Sequence, residues 1–248
     1  LITGSTLRIG GDMVIGDRLT GCVGAVGVSN SITPRKSAQP GDVIMMTEGA
    51  GGGTVCSAAL YYNRHEVVEE TLNIKFLEAA QALIREDPII HAMTDVTNGG
   101  IRGDAKEISY TAGVKLLFEE EKMRQLVNPR VLEMLEDLEI DYLGVSIDAL
   151  LIIAPRQEAE RIERIIRETG VAVDEIGTVE EGKGAYLRYG GKLSDFSPRF
   201  REAAYTPIKK AVGQEAARDV EEMRARVDLA ALNAVEKKKK FLDKIKKI

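Results

Sequence analysis

Residues 91–101 read HAMTDVTNGGI. Apolar residues at 89–93 predict a short strand, and the polar and glycine residues after them predict a turn. A helical pattern resumes near Arg102 and ends by Gly113, a residue type that often closes a helix. The stretch therefore predicts a strand, a glycine-bearing turn and a helix, a unit of mixed α and β structure.

The turn in this stretch carries residues that suit a metal or a phosphate. Asp95 could ligate Mg²⁺, because a hard cation prefers carboxylate oxygen beside phosphate. Thr97 and Asn98 could donate to a phosphate, and Gly99 and Gly100 would let backbone amides approach it. The plain alternative is that a polar residue here only caps the helix.

A second turn has the same layout. Residues 42–47 form a continuous apolar run that predicts a buried strand, and a helix is predicted over 55–63. Between them residues 48–54 read EGAGGGT, which matches neither the Walker spacing nor GxGxxG. The candidate phosphate-binding residues are Gly49, Gly51, Gly52, Gly53 and Thr54.

The second turn also has a plain alternative, a tight strand-to-helix turn without a ligand. Two such turns in one chain nevertheless favour a polyphosphate ligand. They could form one site if their strands are neighbours.

The remaining pattern predicts an α+β fold with layers of helix and sheet rather than a regular βαβα alternation. Further helices are predicted over residues 71–86, 129–138 and 158–169. Further strands are predicted over residues 114–118, 149–154, 173–179 and 185–189.

The chain divides into four segments by composition. Residues 34–41 hold two prolines and a Pro-Gly pair, which indicates a linker. Before it, residues 1–33 carry a glycine-rich strand pattern. After it, residues 42–198 form the main α+β domain, and 199–248 form a helical extension with a long amphipathic helix.

Composition excludes several classes of protein. The 248 residues carry a net charge of −5 and no tryptophan, although residues 236–248 are rich in lysine. The acidic body argues against nucleic-acid binding, and the absence of long apolar runs argues against a transmembrane segment. The two cysteines favour neither a disulfide framework nor a zinc site, so we expect a cytoplasmic protein.

Other candidate residues have plain explanations. His65 lies in a charged stretch typical of a surface, and His91 begins a predicted strand, where a structural role is the simpler hypothesis. Cys22 and Cys56 have no base near them in the sequence that would favour a nucleophile. The lysines at 237–240 are typical of a solvated helix face, with an anionic partner or a membrane surface as the alternative.

Three blocks of this sequence, in order, resemble the aminoimidazole ribonucleotide (AIR) synthase related superfamily. The first is QPGDVIMMT at 39–47 with the glycine turn. The second, HAMTDVTNGGI at 91–101, is most similar to the selenophosphate synthetase branch. The third runs from LGVSIDALLIIAP at 143–155 through IGTV at 176–179.

The resemblance implies an AIR-synthase-like C-terminal domain that follows the remnant of a β-rich N-terminal domain, with the long C-terminal helix as an addition. It implies ATP and Mg²⁺ as cofactors, a small-molecule substrate, and ligase or transferase chemistry in which ATP activates a nucleophile. It assigns Asp95 as the metal ligand and the turn at 97–100 as facing phosphate. It also implies a homodimer formed through the strands of 12–28.

The family's acidic metal-binding stretch would lie upstream of residue 1, so we expect this chain to be the C-terminal portion of the enzyme. Two alternatives stay open. The chain could be a non-catalytic nucleotide- or protein-binding module that kept the fold. It could also be a partner protein like a maturation factor, although it has no cysteine after Cys56.

Overall fold

The structure is a computed structural model that describes residues 28, 31–96 and 99–198, together with scattered positions between 225 and 243. The chain divides near residue 205 into two compact units. The predicted strand pattern before residue 28 and the candidate residues Thr97 and Asn98 lie outside the described residues.

The first unit contains a seven-stranded sheet with the order β2-β4-β1-β5-β3-β6-β7. Only β3 and β6 pair in parallel, and every other neighbouring pair is antiparallel. The strands are β1 (Asp42–Thr47), β2 (Ala92–Asp95), β3 (Lys115–Glu119), β4 (Leu150–Pro155), β5 (Val173–Glu180), β6 (Gly184–Tyr189) and β7 (Lys192–Asp195).

Helices connect and cover the strands. They are α1 (Gly53–Tyr61), α2 (His65–Glu70), α3 (Lys75–Glu86), α4 (Gly100–Ala112), α5 (Glu120–Leu126), α6 (Pro129–Asp137) and α7 (Ala159–Glu168). Short 3-10 turns lie at Arg35–Ser37, Tyr142–Gly144 and Arg156–Glu158. The α+β prediction is thus confirmed.

The core on one face of the sheet forms between α3, α7 and the central strands. Alternate residues of β1, such as Val43 and Met45, point to this face because successive strand side chains point to opposite sides. Ile162 and Ile166 of α7 meet them at helical spacing and are fully buried. This packing buries one face of both β1 and β4.

The described fold reaches beyond the last strand. Phe196 follows β7, is fully buried, and packs its ring 5.1 Å from the ring of Phe118. The guanidinium carbon of Arg102 lies 4.9 Å from the centroid of the Phe196 ring. Phe196 therefore belongs to the core of the first unit, and the exposed strand β7 leads the chain to it.

Two predicted elements begin three or more residues away from their observed starts. The strand predicted at 89–93 is β2 at Ala92–Asp95, because Asp87 takes a left-handed backbone with φ of 47° and pairing with β4 begins only at Ala92. The helix predicted from 71 begins at Lys75, after a separate short helix α2.

The described positions of the second unit, between 225 and 243, are helical. Leu229, Leu232 and Leu242 are exposed there. Within the part of the chain that is described, no helix is long and apolar enough to cross a membrane.

Candidate phosphate and metal site

Sheet topology brings the two glycine turns to the same edge. Both β1 and β2 pair antiparallel with β4, so they run in the same direction and end where β4 begins. Neighbouring strands lie about 4.8 Å apart, which puts the ends of β1 and β2 about 10 Å from each other. The sequence argument requires β1 and β2 to be neighbouring strands for a shared site. They are not neighbours, because β4 lies between them.

The segment leading into β4 joins the two turns. The amide of Val96 donates to the carbonyl of Ala149 at 2.8 Å, and the amide of Gly51 donates to the carbonyl of Ile147 at 2.9 Å. The amide of Leu150 donates to the hydroxyl of Thr47 at 2.9 Å. Residues 146–149 are thus fixed between the two turns by backbone hydrogen bonds.

Asp148 in this segment is a site residue that the sequence reasoning missed. Its backbone is left-handed, with φ of 49°, and its Oδ1 accepts from the Ser146 hydroxyl at 2.8 Å. A Cβ on Gly52 would lie 2.5 Å from each of its carboxylate oxygens. The carboxylate therefore lies directly against the start of α1.

The charge of Asp148 is influenced by its surroundings. Burial raises the pKa of Asp148, the hydroxyl of Ser146 opposes that change, and the charge of Asp95 adds to it. Asp95 is the last residue of β2 and is half-buried. Asp95 is thus close enough for its charge to raise the pKa of Asp148.

The turn at 49–53 serves two purposes. The amide of Gly49 donates to the carbonyl of Leu126 at 2.9 Å, and that of Gly51 is bound to Ile147. Among the described residues, the amides of Gly52 and Gly53 have no acceptor. The first two amides hold the turn in place, and the last two remain available to a ligand at the start of α1.

The starts of α1 and α4 are both suited to an anion. Gly52 and Gly99 occupy their N-cap positions, and neither helix has a side-chain cap or an acidic residue in its first turn. Their first amides and the helix dipole therefore present positive partial charge. Gly100 also packs tightly, because a Cβ there would overlap the backbone of Leu143–Val145.

These residues fit Mg²⁺ bound to a phosphate group. No cluster of three or more His, Cys, Asp or Glu that could enclose a metal ion exists among residues 31–96 and 99–198. Mg²⁺ does not need one, because it usually binds one or two carboxylates and completes its shell with phosphate and water. Asp95 and Asp148 supply such a pair between two helix starts.

The histidines lie elsewhere. His91 Nδ1 is 2.9 Å from Oδ2 of Asp42, and the backbone amide of Gln39 donates to the same oxygen at 2.8 Å. This pair joins the starts of β1 and β2, at the end of each strand away from the glycine turns. His65 contacts Asn63 at 2.8 Å, at the start of α2. Both are structural contacts.

Comparison with known proteins agrees with the architecture. Residues 39–190 match the family model for the AIR synthase related protein, C-terminal domain. A protein of Methanocaldococcus jannaschii, named uncharacterized protein MJ1416, is 55% identical over 242 residues, which cover 96% of this chain and 52% of that protein.

More distant relatives share part of the chain. The thiamine-monophosphate kinase of Pyrococcus abyssi is 22% identical over 176 residues, 69% of this chain and 53% of the kinase. The chain thus spans about half the length of the curated relatives it matches.

Solved structures share the fold. The crystal structure of the E. coli hydrogenase maturation protein HypE has a TM-score of 0.58 at 24% identity, covering 73% of this chain and 56% of HypE. A HypE structure in complex with ATP has a TM-score of 0.55 at 20% identity, covering 69% of this chain and 55% of that one.

Proposed function

Because the chain belongs to the AIR synthase related family, whose C-terminal domain residues 39–190 match, we propose that it is part of an enzyme that uses ATP and Mg²⁺ to activate a small-molecule substrate. In this proposal the edge formed by the two glycine turns binds the polyphosphate. The reaction class is phosphotransfer or ATP-dependent ligation.

One observation carries the proposal. Two helices without side-chain caps begin at one edge of the sheet. At the same edge lie two carboxylates, Asp95 at the end of β2 and Asp148 in the segment that leads into β4. Positive helix starts attract phosphate, and carboxylates attract the cation that accompanies it. The HypE crystal complex with ATP and the similarity to a kinase support a nucleotide as the source of the phosphate.

The residues have separate roles in this proposal. The amides of Gly52 and Gly53, with Thr54, bind phosphate at α1, and Gly99 and Gly100 bind it at α4 with Thr97 and Asn98. Asp95 and Asp148 hold Mg²⁺, which, when bound, neutralises the charge that develops on phosphoryl oxygens. Gly49 and Gly51 keep the first turn closed against its neighbours.

The experiment is a calorimetric titration of Mg-ATP into the chain. We expect Asp95→Asn and Asp148→Asn each to weaken binding at least tenfold, because each removes one carboxylate from the cation. Asp87→Asn is the matched control, since it makes the same charge change at the C-terminus of α3 and an asparagine tolerates its left-handed backbone.

Equal affinity in all four proteins, or no binding by the wild type, would refute the proposed site. Release of ADP from bound Mg-ATP in the presence of a substrate separates an enzyme from a module that only binds. A chain that binds Mg-ATP tightly with no ADP formation under any substrate would assign the non-catalytic role.

We also propose that the protein acts as a homodimer through the glycine-rich strands of 12–28. Strands with alternating small and apolar residues present a face that a second copy can cover. Analytical ultracentrifugation tests this directly, and a monomer at every concentration would exclude it.

A further inference from the structure

The linker before β1 packs against the site. β2 is an edge strand, and its Met93 amide donates to the carbonyl of Thr33 at 3.1 Å. The 3-10 turn at Arg35–Ser37 follows directly and contacts both β2 and α4. The linker therefore covers the free edge of the strand that ends at Asp95.

Arg35 in this turn binds three side chains at once. Its Nη2 lies 2.8 Å from the hydroxyl of Thr94 and 2.6 Å from Oδ1 of Asp104. Its Nη1 lies 2.6 Å from Oε2 of Glu107. A planar guanidinium holds several acceptors in a fixed geometry. Arg35 thereby connects the end of β2 to the helix that starts at the second glycine turn.

The contact with Thr94 continues to Asp95. A hydroxyl can accept one hydrogen bond while it donates its own proton to another acceptor. The hydroxyl of Thr94 accepts from Arg35 and donates to the backbone carbonyl of Asp95 at 3.3 Å. These two hydrogen bonds connect the guanidinium of Arg35 in the linker to the backbone of Asp95, the proposed metal ligand.

We propose that Arg35 is a positioning residue for the metal site, acting on Asp95 through Thr94. The inference rests on the proposed function, since it assigns the linker a role in that same site. Arg35 fixes the end of β2 relative to α4, and so sets the distance between the Asp95 carboxylate and the helix start that binds phosphate.

Stability and positioning act through different partners of Arg35. The side chain of Asp104 is 8% exposed and that of Glu107 is 62% exposed. Loss of Arg35 leaves Asp104 buried without its cation, which lowers stability. Loss of the Thr94 hydroxyl leaves both ion pairs intact and removes only the connection to Asp95.

The experiment measures the affinity of the chain for Mn²⁺ in the presence of ATP, by electron paramagnetic resonance of the free ion. We expect Thr94→Val to weaken Mn²⁺ binding three- to tenfold and Thr94→Ser to restore it. Glu107→Gln, the matched control, removes the charge of the exposed Arg35 partner and leaves the affinity unchanged. Arg35→Met weakens binding at least as much as Thr94→Val.

The possible outcomes are distinct. Asp95→Asn with wild-type affinity, or a wild type that binds no Mn²⁺ with ATP, refutes the proposed function itself. Asp95→Asn with lost affinity but Thr94→Val with wild-type affinity overturns the positioning role alone. An affinity loss that follows the melting temperature across the variants, rather than the loss of the hydroxyl, also overturns it. Thr94→Val keeps the test decisive even if Arg35→Met does not fold.

Discussion

Asp104 is a buried carboxylate that titrates far from its ordinary range. Burial raises the pKa of Asp104 to about 7, although Arg35 opposes this change. Between about pH 4 and pH 7 the native state therefore keeps a proton that the unfolded chain has released. Stability falls as the pH rises through that window, because only the unfolded chain releases the proton there and unfolding becomes more favourable.

We expect Asp104→Asn to remove this dependence. Asparagine keeps an oxygen that accepts from Arg35 and cannot titrate. The stability of the variant relative to wild type therefore increases between pH 4 and pH 7.5. The gain is at most about 4 kcal/mol, from about 1.4 kcal/mol per pKa unit. Urea unfolding followed by circular dichroism at the two pH values checks it, and an equal difference at both would contradict it.

Gly177 and Gly52 differ in the atoms that an added Cβ would contact. On Gly177 a Cβ would overlap the backbone carbonyl of Leu117 in the neighbouring strand. On Gly52 the nearest atoms to a Cβ would be those of the Asp148 carboxylate, a side chain that can move away. The first glycine is needed for the fold, and the second is needed for the position of a carboxylate.

We therefore expect Gly177→Ala to lower the free energy of unfolding by about 2–4 kcal/mol, since a strand must shift. Gly52→Ala changes stability by less than about 1 kcal/mol but displaces Asp148 and weakens Mg-ATP binding. Urea unfolding and calorimetry on both variants check the pair. A stable Gly177→Ala, or Gly52→Ala with full affinity, would contradict the respective half.

At the scale of a residue, sequence could identify only what its own neighbours reveal. Asp95 and the glycines stand beside an apolar strand and before a helix, and that local pattern predicted both turns. Asp148 follows no glycine, and its closeness to Gly52 arises because β4 begins between β1 and β2. Such a contact depends on strand order, which local patterns do not contain.

At the scale of an element, helices and strands with a strong apolar pattern were predicted, and those with a weak pattern were not. The apolar run of β1 and the helical stripe of α7 predicted both elements to within one residue. The short helices α2 and α5 were not predicted, because each spans less than about two turns of helical period. The strand β7 was not predicted, because its four residues are all exposed and carry one apolar side chain.

Strand order was also beyond the sequence. β5 and β6 follow each other closely, yet β3 lies between them, antiparallel to β5 and parallel to β6. In this position Leu116 and Phe118 of β3 are fully buried. The α+β class could be predicted, and the arrangement that brings the two turns to one edge could not.

At the scale of the whole molecule, the question is where the first unit ends. The family match ends at residue 190, while the described core continues to Phe196. The backbone amide of Phe196 donates to the carbonyl of Ala185 at 2.9 Å, and β7 pairs with β6. We therefore propose that the folding unit includes residues up to 198.

A matched pair of truncations tests this boundary. We expect a chain that ends at Pro198 to keep a cooperative unfolding transition close to that of the whole chain. A chain that ends at Gly191 loses β7 and the ring that covers Phe118 and Arg102. Removal of a buried phenylalanine alone costs about 3–5 kcal/mol, a large part of the stability of most domains, so this chain should be largely unfolded. Circular dichroism and urea unfolding of both chains measure the difference. Equal stability would place the boundary at the end of the family match, and loss of folding in both would show that residues beyond 198 belong to the same folding unit.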